Sequence, residues 1–183
     1  MYIAQEKLKS NIAEYILYMW QIENVIRTYQ FDLEKIDQVV IQQLGLDQNS
    51  RDNVKVWYAN LIQKMKEQTL QQRGHLAELQ DIVAELSYLH KSLLQRLRDT
   101  EYGFVYNNAK PFLKELTQKQ DGLANDEIEV ALNGLFGFWM LKAAKKPVSV
   151  ETGQAMEAIS KMIALLTKKY HEMMGAVNGV TGD

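Results

Sequence analysis

The side chains able to do chemistry in this chain are few, and they recur at helical spacings. Glu23 and Arg27 lie four residues apart, close enough on a helix to pair. Both fall beside Ile16, Met19 and Trp20, inside or at the edge of an apolar arc. The pair can be read in two ways. At a helix–helix seam it is buried and needs further hydrogen bonds to survive desolvation. Lining a pocket, Arg27 grips a carboxylate or phosphate bidentately while Trp20 offers a stacking face.

His90 occupies a leucine position in the strongest apolar stripe of the chain, Leu76, Leu79, Val83, Leu86, His90, Leu93 and Leu97. It is a metal ligand or general base, or else a core histidine bonded to a neighbouring helix, with Tyr58, Tyr102 or Tyr106 as the partner. A polar group in a core costs little once it is satisfied. His75 and Glu78 have the i, i+3 spacing of helical metal sites. Di-metal carboxylate bundles, however, need two such motifs and two further glutamates, and the chain has no second copy. The candidate ligand-binding set is therefore Trp20, Glu23, Arg27, His90 and Tyr106. No catalytic or metal set is assigned and no cofactor is expected.

Composition narrows the rest. With 183 residues, 46% hydrophobic and 24% charged, the chain has ordinary globular proportions and enough length to bury a core without staples. Cysteine is absent, which excludes disulfides, thiolate nucleophiles and cysteine-based metal centres. A net charge of −2, with the signs interspersed, provides no field for nucleic acid or anionic lipid. Lys142, Lys145, Lys146, Lys168 and Lys169 read as solvated helix ends. The amino terminus does not read as a signal peptide, and none is expected. The longest apolar run near it, Tyr15 to Trp20, is far below the ~20 residues of a membrane span. The expected location is cytoplasmic, with no membrane and no nucleic-acid partner.

The elements that must position these groups are helices, since two prolines and ten glycines are too few for the turns of a β protein. A stripe through Ile12, Tyr15, Met19, Ile22, Ile26 and Tyr29 predicts a helix starting near Ser10. Leu33, Ile36, Val40 and Leu44 predict a second after Asp32, ended by Gly45, with Ser50 or Asn49 capping the next. Val54, Tyr58, Leu61, Ile62 and Met65 form the third buried face. Arg73-Gly74 predicts a break or bend before the His90 helix. A helical rhythm runs through Pro111, where a kink or restart is expected, and Asn125 is the expected cap of the next helix. Ile128 to Leu141 is apolar on nearly every side, which predicts a central helix, with Gly134 and Gly137 admitting a close neighbour. Ser149 caps the last helix, whose stripe is Met156, Ile159, Ile163, Leu166, Tyr170 and Met173. The expected fold is all-α, a single-domain bundle of six to seven helices over 1–175, with 176–183 a flexible tail.

The segments NIAEYILYMWQIE, RGHLAELQDIVAELSYLHKSLL, YNNAKPFLKEL, NDEIEVALNGLFG and VSVETGQAMEAISKMIALLTKKY together resemble a bacterial family of unknown function found mainly in Bacteroidetes. The resemblance covers nearly the whole chain. It implies a compact, complete bacterial protein and carries over no site residues. Function is read three ways. The first is a non-enzymatic interaction or scaffold protein working through a helical face, as a homo-oligomer or with a protein partner. The second is a small-ligand module near Trp20, Glu23 and Arg27. The third is a metal-dependent enzyme using His90 or His75. Enzymatic activity stays open, with a non-enzymatic role favoured.

Overall fold

A computed structural model describes residues 2–119 and 126–180. Among these residues the fold is all-helical, with eight α-helices: α1 Tyr2–Ser10, α2 Ile12–Thr28, α3 Leu33–Ile36, α4 Gln48–Glu67, α5 Ala77–Gln95, α6 Thr100–Lys119, α7 Glu127–Ala143 and α8 Val150–Val180. Two compact units make up the chain, Met1–Asp81 and Ile82–Asp183, and their boundary falls inside α5.

In the first unit the opening differs from expectation. Ser10 ends α1, its hydroxyl donating back to the Glu6 carbonyl at 2.8 Å. The neighbouring Asn11 is the cap of α2, in extended backbone with its side-chain oxygen accepting from Glu14 N. Both residues are good caps; the extra helix ahead of them decides which is used. Asp32 caps α3 as expected and Gly45 closes the segment in the left-handed region, at φ 63°. Between them Asp37–Ile41 form a π turn, which shifts the inward face by one residue. Ile36 and Ile41, five apart, are buried, while Val39 and Leu44 are exposed. The expected stripe through Val40 and Leu44 assumed an ordinary α period. Asp47 caps α4, accepting from Ser50 N at 3.0 Å, in place of Asn49 or Ser50. The α4 face of Val54, Tyr58, Leu61, Ile62 and Met65 is buried as read. The break at Arg73-Gly74 is real: α4 ends at Glu67, and a strap of non-helical chain leads to α5 through Thr69 at φ 56° and Gly74 at φ 88°.

In the second unit α6, α7 and α8 pack on one another. Leu86, Leu89, His90 and Leu93 of α5 are buried, but Leu97 lies past the helix end and is 67% exposed. Pro111 sits inside a continuous α6 with no restart. Its exposed ring leaves the buried side of the helix, Tyr102, Tyr106, Ala109 and Leu113, undisturbed. Asn125 lies outside the described residues; Asp126 caps α7, its carboxylate accepting from Ile128 N. Ser149 caps α8, accepting from Thr152 N at 3.2 Å. Met156, Ile159, Ile163, Leu166 and Tyr170 are buried along α8 and Met173 is exposed. The helix runs on to Val180, into the stretch expected as a tail. Gly175 and Gly179 lower its propensity by about 1 kcal/mol each without forcing an end.

Candidate functional site

Three places gather the candidate residues. The first is in the unit Met1–Asp81. Glu23 on α2 is 1% exposed, and its two carboxylate oxygens go to the start of α5. One accepts from Leu76 N at 2.8 Å and the other lies 2.6 Å from His75 Nδ1. A carboxylate at a helix N-terminus satisfies an orphan amide and meets the positive end of the dipole. Ala77 N donates to Gln68 Oε1 at 2.8 Å, so two side chains from elsewhere cap one helix. The His75 ring stacks on Trp20, with centroids 4.1 Å apart and planes 15° from parallel.

Arg27 does not bond Glu23, despite their spacing. Its Nε donates to the Leu70 carbonyl at 3.0 Å and its Nη2 to the Gly74 carbonyl. Burial lowers its pKa, against the opposing pull of the Glu23 charge. The expected ion pair is thus two separate clamps, a carboxylate on amides and a guanidinium on carbonyls, holding the 68–76 strap on α2.

The second place is around His90, in the unit Ile82–Asp183. His90 Nδ1 lies 2.7 Å from the Tyr102 hydroxyl and Nε2 lies 3.2 Å from Glu127 Oε2. The Tyr106 hydroxyl donates to Glu127 Oε1 at 3.2 Å. The His90 bond holds the Glu127 carboxyl below its usual range, helped by Tyr106. An ionised Glu127 only accepts, so Nε2 directs a proton at it. Burial, reinforced by Glu127, pushes Tyr106 up to about 12, and burial raises Tyr102 as well. Both hydroxyls stay protonated at neutral pH. Of the three tyrosines offered as partner, Tyr102 makes the bond, and Tyr106 meets the imidazole edge-on at 5.2 Å. Next to this chain Asp126 accepts from Ser87 Oγ at 2.5 Å and Lys91 Nζ at 2.9 Å. A groove of about 320 Å³ runs alongside, with Lys110, Lys114, Thr117 and Glu127 on its walls.

Each of these two histidines therefore has one carboxylate. For His75 it is Glu23, since Glu78 pairs with Lys64 at 2.7 Å. Among the described residues no group of three or more histidine, aspartate or glutamate side chains is placed to hold a metal ion, and no helix is long and apolar enough to cross a membrane. Lys169 does not join a basic patch: it bonds Asp99 at 2.7 Å and Glu101 at 3.3 Å, and Lys168 faces Glu172.

Sequence reasoning missed Asp37 and Arg51. They form a two-pronged pair, Nε to Oδ1 at 3.0 Å and Nη2 to Oδ2 at 2.8 Å, and the Arg51 bond holds Asp37 below the usual carboxylate range. Fourteen residues separate the two, and no local spacing announces them.

The third place is α7. Its first half is buried as expected, with Ile128, Val130, Ala131 and Leu132 at or near 0% exposure. Gly134 does admit a neighbour: a methyl group there would lie 2.8 Å from Leu116 Cδ1. The second half reverses the expectation of neighbours all round. Trp139 is 42%, Met140 36% and Leu141 39% exposed, and a methyl group on Gly137 would meet nothing within 4 Å among the described residues. A groove of about 720 Å³ between α7 and α8 borders this end, with Leu135, Phe138, Val150, Gly153 and Met156 among its walls. Lys142 lies over the Phe138 ring, 4.4 Å from its centre.

Residues 1–176 match the family described as a domain of unknown function, DUF4924. No curated protein and no solved structure matches the chain.

Proposed function

The chain thus belongs to the DUF4924 family, and from the geometry of its helices we propose that it is a non-enzymatic interaction or scaffold protein working through the exposed end of α7. The observation that carries this reading is the run Trp139, Met140 and Leu141, three consecutive large apolar side chains left more than a third exposed. Single exposed hydrophobics are ordinary, whereas three within one turn at the end of a helix, beside an apolar-walled groove, offer a contact surface. Tryptophan and methionine are also enriched where proteins meet. The residues that looked reactive support this reading from the other side. Glu23, His90 and Asp37 have their hydrogen-bonding capacity taken up by helix ends, tyrosines and arginine.

The small-ligand alternative near Trp20, Glu23 and Arg27 draws less support, because both oxygens of Glu23 and two nitrogens of Arg27 already hold the strap. The test is the size of the protein in extracts of the cells that make it. The 21.1 kDa chain is expected to migrate in a larger complex, and Trp139→Glu to migrate as a monomer with an unchanged circular dichroism spectrum. A wild-type protein that migrates as a monomer would overturn the reading.

A further inference from the structure

We infer that the groove between α7 and α8 binds one free long-chain carboxylate, its hydrocarbon tail along the groove and its head at Lys142. This goes beyond the interaction reading and stands apart from it. Three observations lead there.

The first is shape. On α7 the groove is walled by Leu135, Phe138 and Lys142, at steps of three and four. On α8 it is walled by Val150, Gly153, Glu157 and Lys161, at steps of three, four and four. Each set lies on one face of its helix, so the groove runs lengthwise between the two. The eleven residues from Val150 to Lys161 make it about 16 Å long. Its volume of about 720 Å³ falls in the range of small-ligand sites. A long trough suits an extended chain better than a compact ring system.

The second is Gly153. It lies in the second turn of the helix that opens at Val150, where alanine or leucine would favour the helix. A methyl group there would meet nothing within 4 Å among the described residues, so no packing contact in them calls for glycine. Gly153 is part of the groove wall, and the missing side chain leaves the groove open.

The third is charge. No aspartate or glutamate occurs between Glu129 and Glu151. Lys142 lies over the Phe138 ring and has no carboxylate partner among the described residues. Glu157, the acid on the groove wall, is matched by Lys161 at 2.7 Å. Glu151 turns its carboxylate to its own amide and to Ser149. Beside Lys142 the walls are hydrocarbon: Val150 is 72% exposed, and Leu135 and Phe138 are half-buried. The matching ligand has one anionic group and a long apolar tail. A polyanion finds no second free cation on these walls, because Lys161 is engaged.

Calorimetric titration of the purified full chain with sodium decanoate, below the concentration at which it forms micelles, tests this. The wild type is expected to bind one decanoate. Octanoate is expected to bind about four-fold more weakly, since each half-buried methylene contributes about two-fold. Lys142→Gln is expected to weaken decanoate about five-fold and to leave octanol binding unchanged. Gly153→Leu fills the groove while favouring the helix, and is expected to weaken decanoate and octanol alike by about 10-fold or more. Circular dichroism confirms that both variants are folded. A wild type that binds no decanoate, or a Gly153→Leu variant that binds it equally well, overturns the site. Equal affinity for octylammonium and octanoate overturns the acid head. Uptake onto phosphatidylglycerol vesicles without binding of dispersed decanoate overturns the free acid as occupant. None of these outcomes bears on the complex formed through Trp139, which is read in cell extract.

Discussion

The α2–strap junction and the far end of α7 are opposites. At the junction, Glu23 is almost fully buried and every bond it accepts closes a gap in the backbone or fixes the ring beside it. At the end of α7, large apolar side chains face outward beside a glycine with open space where a side chain would be. The residues with reactive chemistry serve architecture, and the helix of blandest composition holds the surface in need of an explanation. A buried carboxylate is tolerated only when it is fully bonded, so in a stable fold its presence marks a tight joint. An exposed tryptophan has no such internal reason.

The largest effect expected of any substitution is at the joint. Glu23→Ala leaves the Leu76 amide and the His75 ring without their acceptor, and should lower unfolding free energy by about 3 kcal/mol, measured by urea denaturation. A loss under about 0.5 kcal/mol would mean that the carboxylate is dispensable and would erase the contrast with α7. His90→Leu comes next. It strands the buried Tyr102 hydroxyl and should cost about 2 kcal/mol; a neutral result would reopen a role for His90 beyond packing.

Glycine substitutions sharpen the other side of the comparison. Gly137→Ala should raise stability by up to about 1 kcal/mol, since its new methyl group meets nothing among the described residues. Gly134→Ala should gain less or lose, because its new methyl group must push Leu116 aside. Equal gains at both positions would mean that Leu116 yields to the new methyl group without cost.

Acid is expected to loosen the ionic joints, the start of α7 among them, and to spare the apolar far end of that helix. Asp37, Asp99 and Glu127 have folded pKa values below their usual ones, first because of hydrogen bonds from Arg51, Lys169 and His90 respectively. The unfolded chain therefore binds more protons than the folded one as pH falls. The stability these groups contribute is complete above the unfolded carboxylate range, about pH 4, and drains away as pH drops through the lower folded values. Thermal melts should be flat from neutrality to about pH 5 and should fall below that. A melting temperature that rises on acidification would contradict this assignment.

Most of the fold was legible because helix periodicity and caps are local signals. The stripes on α4, α5 and α8, the break at Gly74 and the cap at Ser149 come from residues within a few positions of one another. The misses are non-local or irregular. A π turn moved Ile41 inward where an α period put Val40, and Asp47 outcompeted Ser50 by accepting from its amide. Arg27 found carbonyls more than forty residues away, which no wheel displays. The resemblance to a family of unknown function held over residues 1–176 and brought no site with it. The end of α7 was misread for a physical reason: apolar composition all round says what a helix is able to bury, and not how much of the chain reaches it.

Fluorine NMR of the protein labelled with fluorotryptophan addresses that last point most directly, since the chain has only three tryptophans. Trp20 is buried and Trp139 is exposed, so each reports one of the two regions. On raising the protein concentration, the Trp139 signal should shift and broaden as the α7 face is covered, while the Trp20 signal stays fixed. A Trp139 signal that is sharp and independent of concentration up to the solubility limit, and unchanged in cell extract, would contradict the account.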